Sequence, residues 1–308
     1  TSTMEMLRAM LEAAGTVHAA VRSFNNHWGV PLTLARLPEA AEFAVVEIGM
    51  NHANEIRPLT RLARPHVALI TTVAAVHLEN FESVEGIADA KAEIFEGLEP
   101  GGTAVLPLDN AHYPRLREAA GRACPDMVPV TFGRSEGADI RLVEAQLTEE
   151  ATAVRASLRG EPWSFRIGAP GAHLAENAVG ALAAAEAAGA DPARAGLALA
   201  TWSPPEGRGV RTRILLGPDG LDGVIDLLDE SFNANPTSVR AALGVLGLMA
   251  VEDDIGRIAR GRRLAFLGDM LELGPEERAM HAGLAEAPEM AAVDLVFCCG
   301  ERMRALFD

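Results

Sequence analysis

At 308 residues, with 49% apolar and 23% charged side chains, the chain is long enough for two soluble domains with full cores. Its net charge of −16 argues against nucleic acid as the main partner, so an anionic ligand would have to be met by local arginines or metal ions. No run reaches the roughly 18 apolar residues of a membrane span, and the N-terminus carries no signal-peptide pattern. Taken in order, Thr1-Ser2-Thr3-Met4-Glu5 leads directly into an amphipathic helix ending near Gly15. No strand or initiator methionine precedes it, the pattern expected of a piece of a longer chain. Short β-rich runs follow at Val17 to Val21, Phe43 to Ile48, His66 to Val73, Thr103 to Leu106 and Met127 to Phe132. Helical stretches near Glu55 to Ala63, Val84 to Leu98 and His112 to Ala123 lie between them. The alternation predicts βαβ units and a mostly parallel sheet covered on both faces, with ligands beyond the carboxyl ends of the strands.

Three polar side chains fall on that edge. Glu47 lies in the apolar run Phe43 to Gly49, where a buried carboxylate needs a cation or hydrogen-bond donors within reach. His77 follows the strand ending Ile70-Thr71-Thr72-Val73 and reads either as a structural histidine or as a ligand. Lys91 is the third. The apolar stripe of its helix falls on Val84, Ile87, Ala88, Ile94, Phe95 and Leu98, and Lys91 sits within the stripe. It is the only lysine among 27 basic residues. Arginine would supply charge equally well but lacks an amine that can lose its proton and react; a stem lying along the helix with its ammonium in water is the other reading.

From Asp139 to Ile167 alternating runs at Ile140 to Leu147, Ala153 to Leu158 and Trp163 to Ile167 predict antiparallel hairpins. An alanine-rich helix follows from Leu174 to Ala188 with Asn177 in its first turn, placed either as a packing helix or facing an anionic or nucleotide ligand. Trp202 to Gly209 is rich in proline and glycine and reads as an interdomain hinge carrying Arg208. Beyond it a second α/β region starts near Ile214. Strands at Val224 to Leu228, Arg263 to Leu267 and Val293 to Cys299 flank a helix from about Thr237 to Met249. Cys124, Cys298 and Cys299 show no CxxC or zinc spacing and read as reduced, buried thiols.

Nine segments in order resemble the Mur ligase family: Thr1 to Thr3, Asn25 to Pro31, Glu47 to His52, His77 to Phe81, Lys91 to Phe95, His173 to Asn177, Gly207-Arg208, Ser231 to Pro236 and Leu267 to Gly274. The resemblance covers the whole chain. It implies an α/β fold: a mostly parallel-sheet P-loop-type ATPase domain with a small antiparallel β subregion at 1–211, then an incomplete Rossmann-like α/β domain at 212–308. The runs Asn25 to Pro31 and Leu267 to Gly274 favour the branch that joins D-alanyl-D-alanine to UDP-N-acetylmuramoyl-tripeptide, using ATP and an acyl phosphate, in peptidoglycan synthesis.

By the same resemblance Thr1 closes a phosphate loop with its hydroxyl on Mg²⁺ and Glu47 helps hold that ion. Lys91, carbamylated, binds a second Mg²⁺ with His77, and Arg208 offsets developing negative charge. Asn177, either Asp229 or Glu230, Asn233 and Asn235 meet the nucleotide, while Asn25, Asn26 and Asp269 meet the substrates. A monomer in the bacterial cytoplasm is implied. Three departures stand out: no GxxGK run precedes Thr1, so the chain as given is expected to bind ATP poorly; Glu230 stands where relatives carry Asp; and the last domain stops early. A non-catalytic nucleotide-binding relic, and a sister ligase of the Mur or folylpolyglutamate type adding a single amino acid or glutamate, are the alternatives.

Overall fold

The computed structural model describes residues 1–21, 23–74 and 79–308, with Asp219 by its backbone alone. The chain divides into two compact units, Thr1–Leu147 with Ala151–Trp202, and Thr148–Glu150 with Ser203–Asp308.

The first unit opens with helix α1 (Ser2–Glu12), strand β1 (Val17–Ala19), helix α2 (Gly29–Ala35), strand β2 (Phe43–Val45), helix α3 (Ile56–Ala63) and strand β3 (Val67–Leu69). Helix α4 (Val84–Ala92), strand β4 (Thr103–Pro107), helix α5 (Tyr113–Ala123) and strand β5 (Val128–Gly133) follow. Then come strands β6 (Ile140–Leu147), β7 (Thr152–Leu158) and β8 (Glu161–Ile167), and helices α6 (Ala172–Ala187) and α7 (Pro192–Ala198). Strands β3 to β8 form one six-stranded sheet in sequence order. Its first part is parallel through the β5–β6 pair, and β7 and β8 add antiparallel. The expected hairpins therefore extend the parallel sheet. The side chain of Asp139 helps make this join, accepting from the Thr131 backbone N–H at 2.7 Å and the Thr131 hydroxyl at 2.6 Å.

Strand β4 explains why the sheet is covered on both faces. Val105 enters one apolar cluster, with α1 and α6 residues such as Met6, Met10 and Leu182, while Ala104 and Leu106 enter another with Ile87, Phe95 and Leu116. Successive strand side chains point to opposite faces, so a strand apolar from Ala104 to Pro107 needs two covers. The alanine-rich sequence of α6 lets it lie close to its neighbours, and its residues Ala178, Ala181 and Ala185 are fully buried.

Four elements depart from expectation, the first being β3, which ends at Leu69 and not at Val73. Strand β2 ends at Val45, so Glu47 lies beyond the strand, half-buried. The α-helix of Lys91 ends at Ala92 and continues as a 3₁₀ turn over Glu93–Gly97. Helix α6 starts at Ala172, which puts Asn177 in its second turn. Helices α2 and α7 were not expected at all.

In the second unit, strands β9 (Val210–Leu216) and β10 (Gly223–Asp229) form an antiparallel hairpin, and the expected boundary at 211/212 falls inside β9. Helix α8 (Pro236–Leu248), strand β11 (Leu264–Gly268), helix α9 (Glu277–Ala282), strand β12 (Leu295–Cys299) and helix α10 (Arg304–Phe307) complete it. Strands β11 and β12 pair in parallel. Val239, Leu243, Ala265, Met270, Leu284 and Met303 form this unit's core. The thiols differ from expectation: Cys124 is buried, Cys298 half-buried and Cys299 exposed, because alternate residues of β12 face away from that core.

Candidate active site

Beyond the end of β2, Glu47 gathers two of the residues assigned from sequence. Its Oε1 accepts from the Thr1 hydroxyl at 3.2 Å and from Asn25 Nδ2 at 2.9 Å. Its Oε2 is enclosed without a hydrogen-bond partner and lies 3.5 Å from the Thr1 nitrogen. The neighbouring Asn26 does something else: its Oδ1 accepts from the Trp28 and Gly29 N–H groups at 3.1 and 3.0 Å, which caps the start of α2.

Lys91 stands on an element fixed at both ends. Ser83 caps α4 by accepting from the Gly86 N–H at 3.2 Å. At the other end Glu93, 6% exposed, accepts from the Asn54 N–H at 2.6 Å and the Arg57 N–H at 3.0 Å. Glu93 thus caps α3 from a distant part of the chain and draws the 3₁₀ turn against it. The Thr60 hydroxyl adds a bond to the Ile94 carbonyl at 2.6 Å. Lys91 itself is half-buried. Burial lowers its pKa from the ordinary lysine value, with no charged neighbour among the described residues acting on it, so a larger share of the amine is neutral and nucleophilic. His77 lies outside the described residues.

Asn177 is half-buried on α6. One turn earlier the Nδ1 of His173 is buried without a hydrogen-bond partner among the described residues, and burial lowers this histidine's pKa against the opposing pull of Glu176.

In the second unit a separate group forms where β10 ends. The Arg208 guanidinium lies 4.2 Å over the centre of the Phe232 ring. The Phe232 N–H donates to the Gly207 carbonyl at 3.1 Å and the Gly209 N–H to the Asp229 carbonyl at 2.8 Å, so the Gly207–Gly209 turn is tied to the strand end. Hydrogen bonds from Ser231, first its hydroxyl, hold the Asp229 carboxyl below its usual range. Glu230 behaves oppositely: burial pushes it up to about 7, assisted by Asp229 and opposed by Arg208. Asn233 accepts from the Ala234 N–H at 2.9 Å. Asn235 caps α8, accepting from the Ser238 N–H at 3.0 Å while the Ser238 hydroxyl accepts from the Asn235 N–H. Asp269, after β11, accepts from the Met303 N–H at 2.9 Å. Burial raises its pKa, but that bond, one from Arg302 and the Arg302 charge outweigh it and leave the carboxyl below its ordinary value.

The structure therefore brings Thr1, Asn25 and Glu47 together in one unit, and Arg208, Asp229 and Glu230 in the other. Among the described residues no three His, Cys, Asp or Glu side chains converge. What converges at Glu47 is a hydroxyl and a carboxylate, hard oxygens of the kind Mg²⁺ prefers. The enclosed Oε2, which accepts no hydrogen bond among the described residues and already faces positive charge at the Thr1 nitrogen 3.5 Å away, is an acceptor that a cation would satisfy, so these residues fit a magnesium ion. Sequence reasoning missed the Asn25–Glu47 bond and the capping role of Glu93. No local pattern announces either, since the partners lie 22 and 39 residues apart.

The pattern of the Mur ligase middle domain matches residues 1–185, and that of the Mur ligase, glutamate ligase domain matches 220–308. The chain belongs to the Mur ligase family. It is 34% identical over 313 residues to the UDP-N-acetylmuramoyl-tripeptide--D-alanyl-D-alanine ligase of Escherichia coli, covering 99% of this chain and 63% of that protein. A crystal structure of MurF from Acinetobacter baumannii superposes with a TM-score of 0.84 at 28% identity, over 100% of this chain and 62% of that one. MurF ligase from Thermotoga maritima in complex with ADP shares the fold, with a TM-score of 0.79 at 22% identity over 99% and 65% of the two chains. The chain thus spans 63% of the length of the Escherichia coli protein it matches.

Proposed function

We propose that this chain is part of an ATP-dependent ligase that adds D-alanyl-D-alanine to UDP-N-acetylmuramoyl-tripeptide during peptidoglycan synthesis in the bacterial cytoplasm, acting as a monomer. In this reading residues 1–211 form a P-loop-type ATP-binding domain and residues 212–308 the Rossmann-like start of the C-terminal ligase domain. The carrying observation is the chain's only lysine, half-buried, with its pKa lowered by burial and no charged partner among the described residues. A neutral amine there can add to carbon dioxide, its lone pair forming the N–C bond as a proton leaves, and the product is an anionic carbamate. The likeness to the Escherichia coli ligase and the ADP bound by the Thermotoga maritima ligase support the choice of substrates and nucleotide.

Two Mg²⁺ ions, when bound, would neutralise the phosphates and the oxygens on which charge develops. Thr1 and Glu47 would hold one, and His77 with the Lys91 carbamate the other. Asn177 would contact the adenine, and Asp229, Glu230, Asn233 and Asn235 the rest of the nucleotide. By the family resemblance the loop carrying Asn25 and Asn26, and Asp269, would lie on the substrate side, with the Asn25 side chain turned to Glu47. Transfer of the terminal phosphoryl group to the tripeptide carboxylate gives an acyl phosphate. The neutral D-alanyl-D-alanine amine then attacks its carbonyl carbon, and phosphate leaves with the bonding electrons while the nitrogen gives up a proton, so that the amide forms. Arg208, presented by the Phe232 ring, would place a fixed positive charge beside the oxygens that gain charge.

The test is a ligation assay on the full-length protein with ATP, UDP-N-acetylmuramoyl-tripeptide and D-alanyl-D-alanine, read as phosphate release and product mass. Wild type is expected to form the amide, and Lys91→Ala to lose it and recover part of it with added short-chain carboxylic acid. Undiminished turnover by Lys91→Ala would remove the role assigned here.

A further inference from the structure

We infer that Asn25 is a positioning residue for the metal-binding carboxylate: it fixes one oxygen of Glu47 so that the other is presented to a divalent cation. The inference rests on the reading of Glu47 as a magnesium ligand and changes the part given to Asn25, whose side chain acts through Glu47 and not on the peptide substrate.

The two oxygens of Glu47 are in unequal states. Oε1 is occupied twice, by Asn25 Nδ2 at 2.9 Å and the Thr1 hydroxyl at 3.2 Å. Oε2 is enclosed and accepts no hydrogen bond among the described residues, with the Thr1 nitrogen 3.5 Å away. A carboxylate held by hydrogen-bond donors at one oxygen and by none at the other has one face to offer, and outer hydrogen bonds of this kind commonly set the orientation of a ligand. Asn25 is well placed to hold that orientation. Its N–H donates to the Ser23 carbonyl and its carbonyl accepts from the Gly49 N–H, both at 2.9 Å, so its backbone is anchored on each side. Its carboxamide lies flat against Gly49, where an added Cβ would come within 2.8 Å of Nδ2. The next residue, Asn26, is committed to the start of α2, so the loop is anchored on the far side as well.

The residue type fits the task. Asp at position 25 would lose the donor and set a second negative charge beside Glu47, and Gln would overreach a pocket closed by Gly49. Gly49 is accordingly part of the device. Its missing side chain leaves the space in which the amide lies.

Mn²⁺ serves as the probe, with binding to the ADP-loaded full-length protein followed by electron paramagnetic resonance. Asn25→Ala is expected to weaken Mn²⁺ binding by about tenfold or more, with the KM for UDP-N-acetylmuramoyl-tripeptide at saturating metal unchanged. Gly49→Ala leaves both Glu47 and Asn25 in place but displaces the amide, and it should shift Mn²⁺ affinity in the same direction. Unaltered Mn²⁺ affinity in both variants, or a raised KM with affinity unaltered, overturns the inference and returns Asn25 to the substrate. Glu47→Gln separates the two levels. If it leaves Mn²⁺ binding untouched, the metal reading itself fails; if it abolishes binding while Asn25→Ala does not, the role of Asn25 alone fails.

Discussion

Glu230 shows how far one side chain can depart from its ordinary chemistry. Burial carries its pKa from 4.5 to about 7, against the attraction of Arg208. The sign of the consequence follows from proton counting. Between those two values the folded chain holds a proton that the unfolded chain has released, so stability falls as pH rises. The contribution is complete below 4.5 and is lost as pH passes through about 7. Glu230→Gln should therefore flatten the pH dependence of the urea midpoint between those limits, and matching slopes in wild type and variant would show that Glu230 stays near its ordinary pKa. Nothing in the sequence marks this shift, because it arises from burial that only the folded chain creates beyond the end of β10. Lys91 was legible for the opposite reason. Its place in the apolar stripe and its being the only lysine are properties of the sequence itself, and the half-buried amine follows from the stripe. Glu47 stands between these cases: its need for donors could be read from the apolar run, but the donors, Asn25 and Thr1, could not.

Among the elements, the 3₁₀ turn after Lys91 is held by close backbone contact. A Cβ on Gly97 would come within 2.2 Å of the Thr60 carbonyl oxygen, a backbone atom that cannot swing aside. Gly97→Ala should cost about 1–3 kcal/mol of stability through overpacking. Gly121, inside α5, meets nothing within 4 Å. There the same substitution should add about 0.5–1 kcal/mol, since alanine restricts the unfolded chain and favours the helix. Urea unfolding of the two variants reads the contrast, and equal effects would refute the packing of the turn on α3. A cap makes a third case: Asn235→Ala should cost about 1 kcal/mol by removing the acceptor for the Ser238 N–H, and an unchanged urea midpoint would deny the capping role. Periodicity gave the longer helices because their apolar stripes persist over several turns. It missed α2, α7, α9 and α10, none longer than 7 residues, although Asp191 and Pro192 carry a start signal for α7 in their capping side chain and ring. It also ran the Lys91 helix too far, because a 3₁₀ turn keeps nearly the same side buried and the cause of the change, Glu93 reaching α3, is not local.

At the scale of the whole molecule, one lysine in 308 residues provides a direct measure of how firmly the first unit is held. A lysine-specific protease has a single target in this chain, on the carboxyl side of Lys91. Cleavage requires several residues in extended form, so α4 must open before the bond can be cut. That opening would break the capping bond of Ser83 and lift Ile87, Ala88 and Phe95, all fully buried, out of the cluster they share with Leu106 and Leu116. Burial of that extent ties local opening to loss of the unit's core, so cleavage in native buffer should run slower than in urea-unfolded chain by a factor of about 10³ or more. The digest is done in buffer freed of carbon dioxide, so that an unmodified amine is the substrate, and Lys91→Arg serves as the uncut control. Two fragments meeting after Lys91 are expected, accumulating faster as urea rises toward the unfolding transition. Cleavage of the native chain as fast as of the unfolded one would mean that α4 is not part of the core, and the inward lysine on which the proposed chemistry depends would have no fixed place.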